Sequence, residues 1–196
     1  MPTTKTTKIN KIADAMQSVL TNLGHDLEDD NFQDTPTRFA KFMLEFSNPL
    51  TPTRIEEILG ATFPAKPGFH SVVAQSNIPF RALCAHHLAP MLGRAAIGYI
   101  PNEKVVGLSK MTRLVEAVGT ETPGIQEGFC ERVADLMMDY LKPAGVIVVM
   151  KAEHGCMACR GVAQSGIQTT TSTVRGIFRD NAVVRNEFLT LIGGEL

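Results

Sequence analysis

The chain has 196 residues, 44% hydrophobic and 20% charged, with a formal net charge of −1. Those proportions fit an ordinary globular protein with one good core and a small helical appendage. The near-zero charge argues against a nucleic-acid partner held by bulk electrostatics, although a small anion needs only a local basic cluster.

The N-terminal "MPTTKTTKINK" lacks the apolar core of a secretory signal, and no run of 18 apolar residues occurs, so a cytoplasmic chain without a membrane span is expected. Residues 7–23 place Ile9, Ile12, Ala13, Met16, Val19, Leu20 and Leu23 at helical spacing, with Gly24 as the stop. "DTPTRFAKFMLEF" predicts a second helix, with Asp34 or Thr35 as N-cap and Pro36 in its first turn. "TPTRIEEIL" repeats the Thr-Pro start and predicts a third. Residues 1–60 are therefore expected to be a helical region, and 61–196 a second domain. From residue 61 the texture changes. Segments 70–83, 90–100 and 145–152 read as strands, and a Thr-rich strand is expected at 168–178. "YIPNEKVVGLS" reads as a turn region. "SKMTRLVEAVG" reads as a helix capped by Ser109. "IQEGFCERVADLMMDYL" predicts a helix with Phe129, Val133, Leu136, Met137, Tyr140 and Leu141 on one face. A Gly/Cys-rich bend precedes the last strand, and a final helix is expected near 181–192. Without regular βαβ alternation, the class is α+β with an antiparallel sheet.

Chemistry concentrates in two short stretches, "CAHHLAP" at 84–90 and "HGCMACR" at 154–160. Cys84 and His87 stand three apart, and Cys156 and Cys159 form a C-x-x-C about seventy residues later. Thiolate and imidazole are ligands that zinc prefers. Spacing alone leaves three readings: a closed four-ligand zinc site, a redox C-x-x-C, or small buried hydrophobic side chains. His86 and His154 lie beside these positions, where imidazole suits general acid and base work. His154 stands two residues before Cys156, so an extended backbone puts both on one face. His25 and His70 have no such company and read as incidental. "GLSKMTR" is the anion signal. Lys110 and Arg113 lie on one face of a helix's first turn, where cations oppose the dipole, and Arg160 is a third candidate. The alternative is solvated surface charge. Glu127 of the pair Gln126-Glu127 either suits a helix start or reads the N–H edge of a purine.

In order along the chain, "CAHHLAP", "IGYIPNEKVVGLSKMTRLVE", "IQE", "LKPAGVIVVMKAEHGCMACRGV", "TTTSTVRGIF" and "EFLTLI" resemble the GTP cyclohydrolase I family over roughly residues 34–193. The resemblance implies a tunnelling fold (T-fold), assembled as a homodecamer with active sites at subunit interfaces. It implies Zn2+ bound by Cys84, His87 and Cys156 with a fourth position for water, so that Cys159 is not a ligand. It makes His86 and His154 the acid/base pair. Ser109, Lys110, Arg113 and Arg160 match the triphosphate-binding positions, and Gln126 and Glu127 the guanine-binding pair. The implied reaction is hydrolysis of GTP to 7,8-dihydroneopterin triphosphate and formate. Ala85 replaces a usual glutamate, and Gly128 stands where arginine is common. Two other readings are a tunnelling-fold relative with a different purine or pterin activity and a non-catalytic protein stabilised by zinc.

Overall fold

The computed structural model describes residues 4–193. Contacts divide the chain into two compact units, one up to Asn48 and one from Pro49 onward. In the first unit, helix α1 (Lys5–Asn22) starts where the Thr4 hydroxyl accepts the Thr7 amide, 3.3 Å away. It packs on α2 (Thr35–Glu45). Asp34 is the N-cap residue of α2, but its carboxylate makes no cap bond and pairs with Arg38 at 3.2 Å instead. Phe42 and Phe46 meet edge-on, and His25 stacks on Phe32 with ring centroids 4.5 Å apart.

The second unit begins with α3 (Pro52–Leu59), capped by the Thr51 hydroxyl on the Arg54 amide. Strands β1 (Thr62–Pro64) and β4 (Lys104–Val106) form a small antiparallel ribbon in place of the expected simple turn. Three-residue strands carry no readable period. The ribbon is held instead by buried Tyr99, whose hydroxyl accepts the Val106 amide at 3.0 Å.

The main sheet joins β2 (Val73–Leu83), β3 (Pro90–Ile100), β5 (Gly145–His154) and β6 (Gln168–Gly176) in the order β2-β3-β5-β6, every pair antiparallel. Val146, Val148, Met150 and Ala152 of β5 face a core built with α4 (Leu108–Gly119) and α5 (Gln126–Leu141). Ile147 and Val149 face the other way, toward Phe178 of α7 (Ile177–Asp180) and Phe188 of α8 (Ala182–Leu191). A strand covered on both faces needs an unbroken apolar run, which "VIVVM" supplies. The expected face of α5 is found, with Tyr140 at its margin donating to the Glu56 carboxylate. That bond pushes the Tyr140 phenol up to about 12.

Gly98 of β3 lies beneath Phe188, where an added Cβ would stand 2.4 Å from the ring. Gly98→Ala is therefore expected to displace Phe188 and lower stability by about 1–3 kcal/mol. The check is the urea midpoint at unchanged m-value; a midpoint equal to the parent's would remove this contact from the core.

Candidate functional site

Strand β2 ends at Leu83, and the next residues turn back tightly into β3. The Cys84 amide bonds to Ala89 O and the Leu88 amide to Cys84 O, with Leu88 in the left-handed region at φ +52°. The loop before α5 stitches this bend down: Gly124 N–H donates to Leu83 O, and Ala85 N–H to Gly124 O, each at 2.9 Å. Cys84 is buried at the root of the bend, while His86 and His87 are exposed on it. Their rings stand at 74° with centroids 6.3 Å apart. The bend explains how neighbours that would oppose each other in a strand lie together here.

Strand β5 delivers the second half. It ends at His154, paired with Met91 in β3, and the chain coils at once into the helical turn α6 (Gly155–Ala158). Cys156 thus comes to the same end of the sheet as Cys84. The ligand atoms of Cys84, His87 and Cys156 all lie within 4.8 Å of one another. Burial, reinforced by the neighbouring Cys84 sulfur, pushes the Cys156 thiol up. Cys159 caps α6 from an exposed position and is not part of the cluster.

The donor set fits zinc by chemistry and spacing. A tetrahedral ion with bonds of 2.0–2.3 Å holds its ligand atoms about 3.5–3.8 Å apart, a small contraction from the arrangement seen.

The helical turn also revises the geometry expected for His154. The alternation that would align it with Cys156 stops at residue 154. His154 is half-buried, and its Nε2 lies 2.8 Å from Oε1 of Gln126, the first residue of α5. Gln126 is 1% exposed. Its Nε2 donates toward Met150 O, Thr169 O and the Thr171 hydroxyl, at 3.0, 3.0 and 3.2 Å. Spacing did not single out Thr169 or Thr171; their only signal is alternation along β6, which puts both on one face. Glu127 follows on the exposed first turn of α5. His86 Nδ1 is 3.7 Å from Cys84 Sγ, and Arg160 Nη1 is 2.9 Å from His87 Nε2. One end of the sheet therefore gathers Cys84, His86, His87, Gln126, Glu127, His154, Cys156 and Arg160.

Ser109, Lys110 and Arg113 lie elsewhere. Helix α4 begins at Leu108 with Gly107 as its N-cap residue, so Ser109 is inside the helix and no side chain caps it. Along α4, Thr112 bonds Gln75 near the start of β2, and an added Cβ on Gly119 would stand 2.2 Å from Arg81 O near its end. Lys110 lies about 14 Å back along the helix from Gly119. Cys84 lies about 10 Å onward from Arg81. The two sets are thus roughly 20 Å apart within one chain. Lys110 Nζ turns to Glu57 O at 3.3 Å, and Arg113 lines a groove of about 420 Å³ with Arg54, Glu57 and Glu116.

An antiparallel sheet backed by two helices, with two thiols and one imidazole gathered at one end, defines a class: α+β proteins with a mixed sulfur–nitrogen donor cluster able to hold a metal ion. Within that class the chain belongs to the GTP cyclohydrolase I family, whose model matches residues 12–193. Its architecture is the tunnelling fold of that family. It is 40% identical to GTP cyclohydrolase 1 of Saccharomyces cerevisiae, over 95% of this chain and 75% of the relative. It is 43% identical to that of Halalkalibacterium halodurans, over 94% and 96%. It is 38% identical to that of Aquifex aeolicus, over 94% and 96%.

Proposed function

We propose that this chain is a zinc-dependent GTP cyclohydrolase I that converts GTP to 7,8-dihydroneopterin triphosphate and formate, the first step of pterin and tetrahydrofolate synthesis. The observation that carries the reading is the convergence of Cys84, His87 and Cys156 beside His86 and His154. Cys84, His87 and Cys156 would hold zinc, and the ion would supply the acidity that makes water a nucleophile near neutral pH.

The chain's own residues do the rest. The Glu127 carboxylate accepts from the N–H edge of guanine. Arg160 reaches the phosphates from the site end, and a guanidinium suits their planar, bidentate recognition. His86 hands a proton to N7 as water adds at C8, and the imidazole ring opens to a formamide. His154 moves protons as a second water releases formate. The ribose then opens, rearranges, and closes onto the freed amine with loss of water.

The triphosphate positions Ser109, Lys110 and Arg113 stand roughly 20 Å from Cys84 within one chain, with Lys110 turned to Glu57 O and Arg113 lining a separate groove. We infer that a neighbouring copy provides them, consistent with a homodecamer whose sites straddle interfaces. The uncapped start of α4 supports an anion there, because its first amides point outward from the positive end of the dipole. The four unbridged cysteines fit a cytoplasmic setting.

The direct test is to incubate zinc-loaded protein with GTP and assay formate and, after oxidation, fluorescent neopterin. Absence of both sinks the proposal. The shared site has its own test. Cys156→Ala and Arg113→Ala chains are each expected to be inactive, yet mixed oligomers made by co-expression regain up to about a quarter of parental activity, because that fraction of sites pairs two intact halves. No recovery would place both halves in one chain.

A further inference from the structure

We propose that Gln126 is a positioning residue for His154. It holds the imidazole as the Nε2–H tautomer and leaves Nδ1 as the nitrogen that bears the lone pair. This rests on the hydrolase reading and deepens it, while moving Gln126 away from the guanine contact that the family resemblance implies.

The argument is one of hydrogen-bond polarity. A side-chain amide has one donating end and one accepting end, and which is which is normally an assignment. Here the surroundings decide it. Met150 O and Thr169 O are carbonyl oxygens and only accept, and both lie 3.0 Å from Nε2 of Gln126. A flipped amide would press its oxygen against both. With Nε2 fixed toward the sheet, Oε1 must face the His154 ring nitrogen at 2.8 Å. An amide oxygen only accepts, so His154 Nε2 carries the hydrogen.

The N–H end of the Gln126 amide has nothing left for a ligand. Its two N–H bonds already meet three acceptors, counting Thr171 Oγ1, and the residue is 1% exposed. A base could take the amide N–H groups only by displacing β5 or β6 partners. Burying such a group is costly unless it is paired, and here both ends of the amide are paired, the nitrogen to backbone and Thr171 and the oxygen to His154. The amide thus transmits the register of two sheet strands to one imidazole. It fixes the ring's tautomer and its plane together, as an outer partner does for a metal-bound histidine.

The test uses the full-length, zinc-loaded protein labelled with 15N-histidine. Magic-angle-spinning NMR in mildly alkaline solution reports which nitrogen of each neutral ring is protonated, and a His154→Asn sample identifies the His154 signals. A protonated Nε2 with a bare Nδ1 is expected. A bare Nε2 overturns the proposal, whether or not the protein turns over GTP. In Gln126→Leu, the His154 signals are expected to move toward the two-tautomer mixture of free imidazole, and unmoved signals overturn it. The same variant is expected to lose about 10- to 100-fold in kcat, with KM for GTP within about threefold and zinc content unchanged. A raised KM at full kcat means that Gln126 binds the base, and overturns it as well. If Gln126→Leu does not fold, the parental spectrum decides alone. If the parent releases no formate from GTP, the hydrolase reading falls while the tautomer result stands.

Discussion

Cys156→Ala is expected to release zinc and to abolish formate production from GTP, whereas Cys159→Ala keeps both. The two cysteines are three residues apart, yet the turn α6 separates their fates. Cys156 lies in the cluster with Cys84 and His87, and Cys159 faces outward at the end of the turn. Removing one of three donors leaves a two-ligand site. The loss in zinc affinity should therefore exceed the roughly 100-fold typical of changes one shell further out. Chelator competition on each purified variant measures it, alongside the formate assay. Release of the metal by Cys159→Ala would mean a closed four-ligand site, which has no position for water and cannot be the hydrolytic centre proposed here.

His86→Ala should separate chemistry from binding. His86 shares the bend with His87 but is outside the three-donor cluster, and its Nδ1 stands 3.7 Å from Cys84 Sγ. Zinc content is expected to match the parent, while turnover falls about 100- to 10,000-fold, the range for losing a positioned acid or base. The bend is tied to Gly124 and Ala89 through backbone groups, so losing the imidazole leaves the loop in place. Undiminished turnover would take His86 out of the mechanism.

What could be read in the sequence follows from how far each signal extends along the chain. The helices α1, α2, α3 and α5 are long enough to show a period, and Thr-Pro starts mark two of them. The four main strands stand out by β-branched runs or by alternating apolar residues. Signals shorter than one period are silent. The β1–β4 ribbon and the turns α6 and α7 fall there, and the start of α4 moves to Leu108 because Gly107 takes the extended cap position that Ser109 was expected to fill. The donor set was visible because ligand chemistry is restricted to a few residue types. The partner of His154 was not, because the alternation linking it to Cys156 breaks at Gly155, and the ring turns to a residue on another element. The distance between Lys110 and Cys84 is likewise a property of how α4 lies along β2, which no local pattern encodes.

The position of the bend also bears on the order in which the molecule forms. Cys84 and Cys156 are about seventy residues apart, and the bend closes only against Gly124, which itself waits on α4 and α5 reaching the sheet. Bringing such distant segments together carries a loop-closure entropy that a few side chains cannot offset by themselves. A small zinc finger condenses around its ion; here the sheet is expected to assemble first. Zinc would then act as a late rivet. Added during refolding, it should leave the folding rate nearly unchanged and slow unfolding instead, since it ties the ends of β2 and β5 only after both are in register.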